Sequence, residues 1–154
     1  MAEMNWMRFF EDSIGAIHES LAYVLTASAC REGWLQGELY LAGREYGLKV
    51  NDSLPGGKAG EKLDLVCPDP PGMFAEIKIV SADFDAKMRH YVQGDVDRVR
   101  KIQGDVAERY MILVVPESKK QTGVLAKFLR ECDFSSDCSN HDKWPGFRVR
   151  IWRR

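Results

Sequence analysis

Residues 62–80, KLDLVCPDPPGMFAEIKIV, carry the reading of the fold. Two apolar runs, 62–67 and 73–80, flank a proline-rich turn at 68–72. Runs of this length bounded by such turn residues form strands, so a hairpin is expected. Successive side chains of a strand face opposite sides. Glu76 and Lys78 therefore share one face, while Ile77 and Ile79 point into the core. On the other strand Leu63 and Leu65 point together and Asp64 points the opposite way. Pairing of the two strands brings Asp64 beside Glu76. Two adjacent carboxylates with a lysine suit a hard divalent cation, because Mg²⁺ takes oxygen ligands and keeps several waters. The same triplet equally suits an exposed strand face with a Glu/Lys ion pair worth about 0–1 kcal/mol.

Downstream of the hairpin, the spacing predicts a helix over 85–103, with Met88, Tyr91, Val92, Val96, Val99 and Ile102 on its buried face. Asp95 falls near the middle of that face. A carboxylate there needs a partner, and Lys78 or an arginine can supply it. The apolar run 110–115, closed by Pro116, reads as a strand, and 122–131 as a further helix. Phe147, Val149 and Ile151 alternate with Arg148, Arg150 and Trp152, the pattern of a last, half-exposed strand. Upstream, Ile14, Ile17, Leu21, Val24 and Leu25 predict a helix over 12–28, with His18 at the edge of its apolar stripe. Leu35, Leu39, Ala42 and Tyr46 form a second stripe, stopped by Gly47. Residues 51–60, rich in glycine, read as a turn or loop. The order is helix, helix, strand pair, helix, strand, helix, strand. It argues for an α/β sandwich around a small mixed sheet, a single domain over 1–154 with an N-terminal helical segment at about 1–33.

Composition agrees with that class. The chain has 154 residues, 45% of them hydrophobic and 29% charged, enough for one domain with a real core. No run of about 18 uncharged apolar residues and no basic-then-apolar leader stands in the sequence, so no membrane is expected and the expected compartment is the cytoplasm. Four cysteines then read as reduced thiols. Cys132, Cys138 and His141 lack the tight pairing of a zinc site and read as thiols in a loop. A net charge of −1 removes the simplest electrostatic argument for nucleic-acid binding, leaving local patches to make the case. The one such patch is the tail 143–154. It holds Lys143, Arg148, Arg150, Arg153 and Arg154 without an acid, interleaved with Trp144, Phe147 and Trp152. Phosphate contacts with base stacking use these residues, and so does an edge strand blunted by charge.

The succession EGWLQGEL (32–39), GEKLDLVC (60–67), FAEIKIV (74–80), DVDRVRKI (95–102) and YMILVV (110–115) resembles the PD-(D/E)xK nuclease superfamily. Asp64, eleven intervening residues, Glu76 and Lys78 stand for its motif, with Leu63 where many members have proline. The resemblance implies a restriction-endonuclease-like αβββαβ core. It implies that Asp64 and Glu76 ligate Mg²⁺ or Mn²⁺ together with the main-chain carbonyl of Ile77, and that Lys78 orients or polarises the attacking water. Glu38, on the preceding helix, stands for the extra acid that many members place beside the metal, and Asp95 for a supporting buried acid.

The implied activity is phosphodiester hydrolysis of nucleic acid, DNA before RNA. A chain this short has little room for a recognition domain, so selectivity is expected to come from substrate structure, a partner protein or a homodimer. Fold does not fix function. The alternative is a nuclease-like binding or regulatory module of inhibitor or immunity type that keeps the triad without turnover.

Overall fold

The computed structural model describes residues 4–27, 29–69, 72–80, 86–104, 106–117, 127 and 137–153. Helix α1 (Trp6–Ala16) starts where the Asn5 side chain accepts the N–H of Arg8 at 3.0 Å, satisfying one of the orphan donors of the first turn. Trp6, Phe10 and Ile14, four residues apart, are buried along one stripe. The expected single helix over 12–28 is thus two helices with an earlier start, because α2 spans His18–Val24. The ring of His18 explains the break. Its Nδ1 donates to the Gly15 carbonyl at 2.7 Å, taking the acceptor that the next turn of α1 would use.

Helix α3 (Arg31–Gly43) buries Leu35 and Leu39 and continues into the short 3₁₀ turn Arg44–Tyr46. Gly47 ends it at φ 78°, a left-handed conformation that glycine adopts without strain. Gly43 is tightly packed. A Cβ there would meet Leu48 Cδ2 at 2.6 Å, so a larger residue would force the Leu48 side chain to shift.

Among the described residues six strands follow, and α4 lies between the third and the fourth: β1 (Lys49–Asp52), β2 (Leu63–Cys67), β3 (Met73–Ile79), α4 (Ala86–Lys101), β4 (Glu108–Pro116), β5 (Asp137–His141) and β6 (Phe147–Arg153). They form one open mixed sheet in the order β1-β2-β3-β4-β6-β5. β1, β2 and β3 are antiparallel neighbours. β3 and β4 run parallel, which a tight turn cannot join, and the connection between them contains α4. β6 is antiparallel to both β4 and β5.

Both faces of the sheet are covered. α1, α2 and α3 pack on Leu65, Ala75, Ile77, Ile112, Val149 and Ile151. Val92, Val96, Val99 and Ile102 of α4 pack on Phe74, Met111, Leu113, Val115 and Trp152. Each of the valine, leucine, isoleucine, phenylalanine and methionine side chains among them, once buried, contributes about 1.5–3 kcal/mol of transfer free energy. Among the described residues no helix is long and apolar enough to cross a membrane.

Several expectations need correction. β1 runs into the segment read as a loop, taking in Asn51 and Asp52, its half-exposed residues giving no apolar alternation to detect. β6 is an interior strand, and the edge is β5, a polar DCSNH run. Leu63, the first residue of β2, joins the α4 cluster rather than that of Leu65. Tyr91 is 52% exposed and lies outside the buried face of α4. Of the helix expected over 122–131, all but Lys127 lies outside the described residues.

Candidate active site

The site forms where β2 and β3 part. The two strands pair through Cys67↔Met73, Val66↔Phe74 and Leu65↔Ala75, and there the ladder stops. β3 continues along β4 as far as Ile79↔Val114, so beyond Ala75 its other edge has lost its strand neighbour. Buried main-chain groups must still find partners. The N–H of Ile77 donates to Asp64 Oδ2 at 2.8 Å, and the N–H of Ile79 to Glu32 Oε1 at 3.1 Å. A strand residue points its N–H and C=O the same way, so the Ile77 carbonyl opens on this edge too.

Glu76 and Lys78 project on the α4 side of the sheet, the face of Phe74 and Val80. Lys78 Nζ lies between two acids, 3.6 Å from Asp95 Oδ2 and 3.8 Å from Glu32 Oε1. Asp95 is therefore a rim residue, its side chain 36% exposed, and not the buried acid that helical periodicity suggested. The buried acid is Glu76, at 7% exposure the one buried charged residue among those described. Arg98 Nη1 sits 3.0 Å from Glu76 Oε1, while Arg98 Nη2 donates to the Lys62 carbonyl at 3.0 Å, tying α4 to the chain just before β2. The Glu76 contact is out of line for a hydrogen bond, and Oε1 is left buried without one.

This environment favours a proton on Glu76. Burial, a hydrogen bond to Asp64 and the charge of Asp64 push its carboxyl from 4.5 up to about 9, helped by Asp95 and opposed by Arg98. Arg98 stands beside the two carboxyl groups as the neighbouring positive charge.

The residues fit a hard divalent cation in kind. Glu76 Oε1 is an orphaned buried oxygen, the Asp64 carboxylate lies beside Glu76, and the Ile77 carbonyl faces the same opening. Among the described residues no three His, Cys, Asp or Glu side chains gather as a ready ligand cluster, so waters would fill the remaining positions, as Mg²⁺ prefers.

Asp64, Glu76, Ile77 and Lys78 thus come together, with Asp95 joined through Lys78. Glu38 does not. It stands two residues beyond Gln36, about 200° around the helix from the face that meets the site. The acid that α3 brings to β3 is Glu32, and one turn later Gln36 Nε2 donates to the Asp64 carbonyl at 2.8 Å and to Asn51 Oδ1 at 3.2 Å. The signal for both was the i, i+4 pair Glu32/Gln36. A stripe counted from Leu35 onward hid it, whereas α3 starts at Arg31 and runs through Gly33.

The tail arginines do not form one basic strip. Arg148 and Arg150 lie on the α4 face of β6, and Arg153 on the opposite face with Ile151. Arg150, its side chain 13% exposed, holds Asp142 through two nitrogens at 2.6 and 3.3 Å and keeps that carboxyl below its usual range. Arg153 lies 3.6 Å from Glu108. Arg148 borders a cavity of about 390 Å³ shared with Asp142, Lys143, Trp144 and Phe147.

Cys138 lies on β5 rather than in a loop, and Cys132 lies outside the described residues. His141 Nε2 faces Ser139 Oγ at 2.7 Å and Glu11 Oε1 at 3.2 Å. Comparison with protein-family models, curated proteins and solved structures finds no match to this chain.

Proposed function

We propose that the chain is a divalent-metal-dependent phosphodiester hydrolase of the PD-(D/E)xK type, acting on nucleic acid and in the first place on DNA. The observation that carries this reading is the parting of β2 from β3, which leaves the Asp64 and Glu76 carboxyl groups and the Ile77 carbonyl on one opened strand edge beside Lys78. The run α3, β1, β2, β3, α4, β4 supports it, since it reproduces the αβββαβ order of the proposed family.

Asp64 and Glu76, with the Ile77 carbonyl, would hold Mg²⁺ or Mn²⁺. The cation would supply Lewis-acid stabilisation of charge building on the phosphate and promote ionisation of the attacking water. The chain's own part is positioning. Glu32 and Asp95 hold the Lys78 ammonium from two sides, so it points a proton donor at a water or phosphate oxygen next to Glu76. Gln36 fixes the strand that carries Asp64 through its main-chain carbonyl. Such fixing matters because misplacing a reacting group by about 1 Å can cost 10²-fold in rate.

A second reading, the silent binding or regulatory module, is favoured by one feature. Arg98 occupies the side of Glu76 that a metal would need. Thermal unfolding separates the two. A cation at a hundredfold excess over Kd adds about 2.7 kcal/mol to stability. The thermal midpoint should therefore rise with Mg²⁺ or Mn²⁺ in the wild type and stay flat in Asp64→Asn, which can still accept from the Ile77 N–H. No rise in the wild type up to about 10 mM cation would leave the silent module as the better account.

A further inference from the structure

Arg98 stands against the oxygen of Glu76 that a metal would need. Its guanidinium spans two elements, reaching from α4 to Glu76 Oε1 on β3 and to the Lys62 carbonyl ahead of β2. These are the two strands whose parting makes the opening. With respect to Glu76 it is a charge contact without hydrogen-bond alignment, because Oε1 has no hydrogen-bond partner although Nη1 is 3.0 Å away. Glu76 is buried and fixed, whereas the Arg98 side chain is 43% exposed, so the arginine is the partner with room to leave. A second cation close to Glu76 Oε1 would meet the guanidinium at like-charge distance. Two positive charges a few ångströms apart on one carboxylate weaken each other's hold on it.

From this we infer that Arg98 is a displaceable stand-in for the metal: its guanidinium lies where a cation would approach Glu76 Oε1, and a divalent ion must move it off Oε1 to bind. Arg98 is a positioning residue under this scheme and sets how readily the site loads. The inference rests on the proposed metal-dependent reading and deepens it. Once displaced, the arginine remains on the exposed side of α4, one helical turn from Asp95.

The test is Mn²⁺ binding by calorimetry on the whole chain, as wild type and as Arg98→Gln, which keeps a donor for the Lys62 carbonyl and loses the charge. Arg98→Gln should bind Mn²⁺ about tenfold or more tightly, the scale on which a neighbouring charge shifts a carboxyl equilibrium. Binding in the variant alone would support the inference in its strongest form, an arginine that locks the wild-type site. Equal or weaker binding in the variant, with binding in the wild type intact, would overturn the stand-in role and leave the metal-dependent reading standing. Absence of binding in both would overturn that reading and the inference with it. A crystal structure of the Mn²⁺-loaded wild type gives a second readout that does not depend on the variant's folding. The Arg98 to Glu76 Oε1 distance should exceed about 4 Å, beyond ion-pair contact. A guanidinium still at its present 3.0 Å with Mn²⁺ on Glu76 would overturn the inference.

Discussion

Glu76→Gln keeps the size and shape of a buried side chain and removes its ionisation. In the folded protein Glu76 holds its proton up to about pH 9, whereas in the unfolded chain it releases it near 4.5. Between those values the folded state binds one proton more than the unfolded state, so unfolding free energy falls as pH rises, by up to 2.303RT per pH unit. The contribution is complete below the unfolded value and is lost as pH climbs through the folded one. From pH 4.5 to about 7 the loss amounts to about 3 kcal/mol. Glutamine escapes it, since its amide donates to Asp64 as the protonated acid does. Glu76→Gln should thus be more stable than wild type by about 3 kcal/mol at neutral pH, a midpoint higher by roughly 6–12 °C for a chain of this length. Urea unfolding of both proteins at pH values from about 5 to 8 is the assay, because every other group titrates alike in the two and cancels in the difference. Parallel stability curves over that range would refute the reasoning and place Glu76 among ordinary ionised carboxylates.

Other consequences follow from the same geometry. If metal binding needs both carboxylates ionised, Mn²⁺ binding at neutral pH should release about one proton, read from calorimetry in buffers of different ionisation enthalpy; no release would mean that Glu76 is already ionised or not a ligand. Replacing Arg148, Arg150 and Arg153 together with alanine should lower the log–log salt slope of DNA binding by about 1 at most, because Asp142 and Glu108 already neutralise two of them. A fall of 2 or more would show that those ion pairs open onto phosphates. Asn5→Ala should cost about 1 kcal/mol of stability by uncapping α1, and an unchanged urea midpoint would deny the cap that role.

How far the sequence led can be argued from particular elements. The hairpin was legible because β2 and β3 are apolar runs punctuated by proline and glycine, and the alternation of β3 put Glu76 and Lys78 on one face without any tertiary information. The helix α4 and strand β4 were legible for similar reasons. Edge strands β1 and β5 were not, since an edge strand has little to bury and its residues here are polar. The break between α1 and α2 depends on one ring bonding one carbonyl, which no periodicity records. Within the site, strand alternation gave the pairing of carboxylates, but helix periodicity gave only a sector. Asp95 was accordingly placed by angle alone, and the structure moves it to the rim. Glu32 and Arg98 enter the site through long-range contacts, with β3 and with the start of β2, that depend on where β2 leaves β3.

The central claim, that the opened edge at Asp64, Glu76 and Lys78 hydrolyses phosphodiester bonds, is tested most directly by incubating purified protein with plasmid and end-labelled oligonucleotides in Mg²⁺, Mn²⁺ or chelator. Cleavage should require the divalent ion. In Lys78→Ala, whose side chain is partly exposed and whose loss leaves the sheet hydrogen bonds intact, it should fall by about 10²-fold or more at unchanged thermal midpoint. Cleavage at equal rates in wild type and Lys78→Ala, or no metal-dependent cleavage of DNA or RNA by the wild type, would contradict the account.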